Sequence, residues 1–290
     1  MQFLAYIFLY PFLWLISILP FPALYFFSDI VCFLIYRILG YRKRTVRQNL
    51  KLALPHLSDQ ERLVIEKRFY NHLCDMFLEM IKTMSISEAE MDKRFQFENL
   101  EVYKDLEKKG KSIAVMIAHY ATYEWVISMN KYIDFTGYAI YKQVANPYFD
   151  QLVKSIRSKF KAHLITTKET AATIEKTFVT KKQGVFGFAS DQSPKVEKAV
   201  HWRPFMGVEV PVHTGAEMLA KKYDLNVIFL RVKKVGRGYY RATFEALTDD
   251  VRKIPDYQIT DAFFDMVEKQ IQEDPAYYLW THKRFKHKKE

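Results

Sequence analysis

Residues 2–19, QFLAYIFLYPFLWLISIL, carry no charge, and a second apolar stretch runs from Pro22 to Leu39. As a helix at about 1.5 Å per residue the first stretch spans roughly 27 Å, close to the roughly 30 Å hydrocarbon core of a bilayer. An apolar run of this length must either bury itself in protein or meet lipid. The reading adopted is a membrane anchor over residues 1–44, ahead of a cytoplasmic domain over residues 45–290. The first stretch lacks the basic leader and small-residue cleavage site of a signal peptide, so it is expected to be retained. Pro11, Pro20 and Pro22 are expected to kink it and to break the chain between the two stretches. Asp29 and Arg37 place the second stretch along the interface rather than across the bilayer. Arg42, Lys43 and Arg44 follow directly, and by the positive-inside tendency they leave the rest of the chain in the cytoplasm. Two buried core helices are the other reading of the same residues.

The chain carries 44 Lys and Arg against 33 Asp and Glu, a formal charge of +11, which favours an anionic partner. The basic residues are spread out, with no motif that interleaves them with stacking aromatics, so nucleic acid is not the expected partner. The 23 Phe and 19 Tyr suit a surface at the lipid–water boundary. Cys32 and Cys74 have no metal-type spacing and imply no disulfide framework.

From Ser58 to Met84 the pattern predicts one amphipathic helix, opened by the capping box Ser58-Asp59-Gln60-Glu61. Short apolar runs then alternate with helical ones. Strands are expected at Ile113–Ala118, Tyr138–Tyr141 and Val185–Ala189. Helices are expected from about Thr122, from about Tyr148, near Thr170–Thr180 and over Val212–Lys222. Asn226–Val232 should pair with Tyr239–Ala246 through Gly236-Arg237-Gly238, before a last helix at about Thr260–Glu273. The alternation argues for an α/β sheet. The basic tail from Lys283 to Lys289 is expected to be solvated and flexible.

The sharpest local feature is Ile117-Ala118-His119-Tyr120-Ala121-Thr122-Tyr123-Glu124-Trp125. His119 ends an apolar strand and Glu124 falls five residues later. Five residues turn an ideal helix by about 500°, so the two meet only if His119 sits in the strand-to-helix turn and Glu124 reaches back. Such a pair suits a general base: the imidazole takes a proton from an attacking hydroxyl while the carboxylate fixes its tautomer. The spacing alone leaves an ordinary structural His–Glu contact open. Arg157, an always-charged fork, suits a phosphate or a thioester oxygen, and Lys142 at a strand end suits an acceptor phosphate. Asp191, just after a strand, also reads as a turn residue, and Arg157 and Lys142 also read as solvated helix and surface residues. There is no P-loop, GxGxxG or zinc spacing, so no cofactor and no metal is expected.

An ordered series of motifs runs through the chain. It comprises the N-terminal apolar segment, Arg44-Thr45-Val46-Arg47-Gln48-Asn49-Leu50, the His119/Glu124 pair, and Asn146-Pro147 followed by Asp150 and Arg157. Asp191-Gln192, Pro204-Phe205-Met206-Gly207, Thr214-Gly215 and Tyr278-Leu279-Trp280-Thr281-His282-Lys283-Arg284-Phe285-Lys286 complete it. With this series the sequence resembles, from about Phe12 to Lys286, the late acyltransferases of lipid A biosynthesis, the lauroyl/myristoyl transferases of the lysophospholipid acyltransferase superfamily.

The resemblance implies a glycerol-phosphate-acyltransferase-like mixed sheet flanked by helices, with an N-terminal membrane-anchoring helix. It implies an inner-membrane enzyme, active on the cytoplasmic face, that moves an acyl chain from acyl carrier protein to a hydroxyl of a phosphorylated lipid A precursor. His119 is then the base and Glu124 its partner. Lys142, Arg157, Asp191, Gln192, Arg203 and Thr214 are the substrate-binding candidates. The family commonly has Tyr-Arg-Pro where this chain has Tyr141-Lys142-Gln143, and an acidic or aromatic residue at Ser193, departures that bear on the acceptor headgroup and the chain length. A lysophospholipid, glycolipid or amino-acid-headed lipid is the alternative acceptor within the superfamily. Outside enzymes, a basic membrane-anchored lipid-binding protein also accounts for the anchor and the charge.

Overall fold

A computed structural model describes residues 2–248 and 250–289. The first four helices are α1 (Gln2–Ile18), α2 (Phe21–Phe33), α3 (Lys43–Ala53) and α4 (Asp59–Lys82). A mixed α/β region follows: α5 (Glu88–Arg94), β1 (Phe95–Glu98), α6 (Leu100–Lys108), β2 (Ile113–Ile117), β3 (Thr136–Tyr141), α7 (Pro147–Arg157), β4 (His163–Thr166), α8 (Thr170–Val179) and β5 (Gly184–Ala189). The chain closes with β6 (Trp202–Phe205), β7 (Val208–Pro211), α9 (Gly215–Tyr223), β8 (Asn226–Gly236), β9 (Tyr239–Thr248) and α10 (Gln258–Glu273).

Seven strands form one sheet in the order β1-β9-β8-β2-β5-β3-β4, while β6 and β7 make a separate antiparallel ribbon. Within the large sheet β8 and β9 pair antiparallel, and the other neighbours are parallel. β2 is buried at every position, as expected of a central strand covered on both faces. The fold is thus a mixed α/β structure with a mostly parallel sheet flanked by helices.

Several expectations shift by a residue or two, and two, the helix after Thr122 and the C-terminal tail, change in kind. The helix expected from Thr122 is a 3-10 helix over Tyr123–Lys131. Pro11 lies inside α1, and the chain breaks at Pro20 before α2 as expected. Among the described residues one helix is long and apolar enough to cross a membrane by length and composition alone: α2 continues through a π-helical turn at Leu34–Leu39, giving 19 residues from Phe21 to Leu39. Gly40, in the left-handed region, ends it. The basic tail is not free, because Arg284 and Phe285 are buried and Lys289 N–H donates to the Glu209 carbonyl. The Arg284 guanidinium lies 4.8 Å from the Phe205 ring centroid, so the rings accept a cation that spacing alone assigns to solvent.

The capping box forms as read. Ser58 Oγ accepts from Glu61 N–H, and Glu61 Oε2 accepts from Ser58 N–H. α4 then carries the N-terminal helices. Glu79, fully buried, accepts from the hydroxyls of Tyr25 at 2.9 Å and Tyr240 at 2.8 Å. Asp75 accepts from Ser28 at 2.7 Å and from Arg237, which also holds Asp29 at 2.6 Å. These bonds join α2, α4 and the β8–β9 turn across the expected boundary at residue 44. Gly238 in that turn has φ +74°, and a Cβ there would lie 1.8 Å from the Tyr25 hydroxyl, so only glycine lets the hairpin meet α2. The outer faces of α1 and α2 remain apolar and exposed: Phe8 is 77%, Phe26 71% and Leu39 74% exposed.

Candidate active site

Parallel pairing of β2 with β5 sets Ile117 opposite Ala189. Two residues beyond each lie His119 and Asp191, so the register brings these side chains together at the C-terminal edge of the sheet, where open α/β sheets place their sites. His119 Nδ1 lies 2.7 Å from Asp191 Oδ1, and the same oxygen accepts from His119 N–H at 3.0 Å. Asp191 is buried, and its carboxyl is held below the usual range: burial raises it, but the charge and hydrogen bonds of His119 outweigh burial. A carboxylate only accepts, so Nδ1 is the protonated nitrogen and the lone pair sits on Nε2. Burial alone would lower the imidazole pKa, yet Asp191, with a smaller contribution from Glu124, raises it above the ordinary value.

Glu124 does not reach back to the imidazole. Its carboxylate is gripped by Arg157, which donates from Nε at 2.8 Å and from Nη2 at 2.6 Å. The reason is local: the segment after His119 forms a 3-10 helix whose first turn carries Glu124 toward the C-terminal end of α7, where Arg157 waits. Asp191, expected among the substrate-binding residues, thus occupies the position beside the ring that the spacing assigns to Glu124. Tyr123 packs edge-on against the imidazole, with centroids 4.8 Å apart.

The turn bearing His119 is fastened by the C-terminal segment. Leu279 N–H donates to the His119 carbonyl at 3.0 Å, Ala121 N–H donates to the Tyr277 carbonyl at 2.9 Å, and Tyr120 bridges Tyr278. Ala121 has φ +49°, a left-handed conformation that costs a non-glycine residue about 1–2 kcal/mol and that these bonds hold in place. Asn49 in turn donates to the carbonyls of Trp280 at 2.8 Å and His282 at 2.7 Å, so the two motifs at the ends of the series meet in space. His282 Nε2 accepts from Ser193 N–H at 3.2 Å, and burial pushes its pKa down to about 4, which makes it a neutral structural acceptor.

Beneath His119 opens a cavity of about 760 Å³. Its head carries His119, Glu124, Lys142, Arg157, Gln192 and His213, and its depth is apolar, with Val115, Ile117, Ile127, Ile133 and Val185 among the wall residues. Of the sequence candidates, His119, Glu124, Lys142, Arg157 and Gln192 reach this wall, and Asp191 stands behind His119. Arg203 does not. It is held by α10, donating to the Asp261 carbonyl and to Asp265 at 2.6 Å, because β6 runs alongside that acidic helix. Thr214 is buried just before α9, between the wall residues His213 and Gly215. His213 and Tyr123 belong to the site and went unread, since no spacing links either to His119. Among the described residues no group of three or more His, Cys, Asp or Glu is arranged to hold a metal ion.

A histidine–carboxylate pair at the head of a deep apolar cavity, on the C-terminal edge of a mostly parallel sheet, is the site of an α/β enzyme. Residues 2–287 match the family model of the bacterial lipid A biosynthesis acyltransferases. The chain is 24% identical to a lipid A biosynthesis lauroyltransferase of Escherichia coli strain K12, over 94% of this chain and 89% of the relative. It is 23% identical to the lipid A biosynthesis palmitoleoyltransferase of the same strain, over 94% and 88%. A lipid A biosynthesis acyltransferase of Haemophilus influenzae is 24% identical over 85% and 78%. The chain belongs to this family and is an acyltransferase of lipid A biosynthesis.

Proposed function

We propose that the enzyme transfers a fatty acyl group from an acyl carrier protein thioester to a hydroxyl of a phosphorylated lipid A precursor, at the cytoplasmic face of the inner membrane. The observation that carries this reading is the 2.7 Å contact of His119 Nδ1 with buried Asp191 at the head of the apolar cavity.

The acceptor hydroxyl attacks the thioester carbonyl as His119 Nε2 takes its proton, while Asp191 stabilises the imidazolium that forms. The tetrahedral intermediate then collapses, the C–S bond breaks, and the imidazolium returns the proton to the departing thiolate. Arg157 has Nε and Nη2 committed to Glu124, and its remaining Nη1 serves the developing oxyanion or an acceptor phosphate. Lys142 and Gln192 bind the acceptor head, and the apolar depth receives the acyl chain. A thioester is already activated, so this scheme calls on no cofactor.

In this reading the sheet is the glycerol-phosphate-acyltransferase-like arrangement, residues 1–44 are the membrane anchor, and the net charge of +11 suits both an acidic carrier protein and an anionic lipid surface. Mass spectrometry of lipid A from cells with and without the gene tests it. Loss of one secondary acyl chain from lipid A is the expected result. Unchanged lipid A beside altered phospholipids would transfer the activity to another acceptor.

A further inference from the structure

The cavity has an unusual floor. In the sheet register Val115 stands opposite Gly187 and Gly187 opposite Ala139, while Val185 stands opposite Gly137. All five line the cavity and fall on one face of the sheet. A central sheet row normally carries bulky side chains, but here two of three positions are glycine and alanine. The roof is the 3-10 helix after Thr122, and it comes down at Gly137, where a Cβ would lie 1.7 Å from Asn130 Oδ1 and 3.0 Å from Ile133 Cδ1. Asn130 Oδ1 is buried without a hydrogen-bond partner, so the trough ends on a polar atom that a hydrocarbon tip does not satisfy. At Gly187 the situation is opposite. A Cβ there would meet only the Tyr138 carbonyl oxygen, at an ordinary 3.7 Å, and would otherwise project into the cavity.

We infer that Gly187 keeps the trough open and Asn130 closes it, so that together they set the length of acyl chain the enzyme accepts. This rests on the reading that the apolar cavity holds the acyl group. Gly187 lies two strand steps before the Gly137 end, about 7 Å at roughly 3.3 Å per residue. An extended chain advances about 1.2 Å per bond, as extended backbone does, so a side chain at Gly187 shortens the usable trough by about six carbons. A second lobe is lined by Phe188, which strand alternation turns to the opposite face from Gly187, together with Ala171, Ala216 and Leu219. That lobe lacks the glycine floor and the closing amide.

The test uses the purified full-length enzyme with octanoyl, decanoyl, lauroyl, myristoyl and palmitoyl thioesters of acyl carrier protein and a lipid A precursor as acceptor. For Gly187→Leu the ratio of octanoyl to palmitoyl kcat/KM should rise at least about tenfold, the scale at which pocket methylenes discriminate. Gly187→Val should give an intermediate shift, and Asn130→Ala the reverse, toward longer chains. Where Gly187→Leu fails to melt cooperatively, Gly187→Ala and Asn130→Ala decide the matter by the same ratio. An unchanged ratio in folded variants overturns the inference while leaving acyl transfer intact, and points to the opposite lobe. Absence of transfer by the unsubstituted enzyme from every thioester instead sinks the acyl-transfer reading itself.

Discussion

At the scale of single residues, the site turns on which carboxylate faces the imidazole. Asp191 raises the pKa of His119 against the opposing effect of burial. In the proposed mechanism the base is the neutral imidazole, so activity should climb as pH rises through a value above 6.5, the ordinary histidine value. Asp191→Asn removes the largest raising influence and exchanges the charged acceptor of Nδ1–H for a neutral amide that stabilises the imidazolium far less. Its rate should fall by about 10²–10⁴-fold, and the acid limb of its pH–rate profile should move to lower pH. A profile that keeps the original limb would remove Asp191 from this role. His119 was legible because a lone polar residue closing an apolar strand is conspicuous. Its partner was assigned by sequence proximity to Glu124, whereas the register of two parallel strands 72 residues apart decides the matter. The usable signal was the shared offset: His119 and Asp191 each follow an apolar strand, but nothing in the chain states that those strands are neighbours.

At the scale of elements, the buried ties between α2, α4 and the β8–β9 hairpin make the N-terminal helices part of the core. Leu24 is fully buried, and Tyr25 and Ser28 spend their hydroxyls on α4. Burial drives the Glu79 carboxyl up to about 7, although Lys234 and the two tyrosine hydroxyls pull it down. The unfolded chain releases this proton near 4.5, and the folded protein keeps it until about 7. Between those values the native state binds more protons, so stability falls as pH rises, by about 3 kcal/mol at most across the window. Thermal melts from pH 5 to pH 7.5 should show this decline, and Glu79→Gln should flatten it; a decline of equal size in the variant would assign it to another group. The long amphipathic α4 and the glycine-marked hairpin were legible because periodicity and turn chemistry are local. β1 and β4 were not, since each is a four-residue edge strand with too few residues to establish a period. The tail was misread because its burial depends on Phe205 and Phe264, rings far away in the chain.

At the scale of the whole molecule, one side is apolar and exposed while the site lies at the sheet edge. Phe8, Phe26 and Leu39 project from the α1–α2 layer. Tyr6 of α1 stacks on Tyr148 of α7, with centroids 5.7 Å apart, so the apolar layer touches the helix that carries Arg157. Burying a large apolar side chain is worth about 1.5–3 kcal/mol, so replacing Phe8, Phe26 and Leu39 with serine should weaken binding to phosphatidylglycerol-containing vesicles at least about tenfold. Vesicle sedimentation reads this, and unchanged binding would contradict a membrane-facing role for this layer. The central claim is that His119 is the base for acyl transfer, and one measurement reaches it most directly: initial rates of transfer from lauroyl acyl carrier protein to a lipid A precursor, for the unsubstituted enzyme and His119→Ala side by side. The account predicts a loss of at least about 10²-fold with an unchanged melting temperature. A folded His119→Ala enzyme that transfers within a few-fold of the original rate would contradict it.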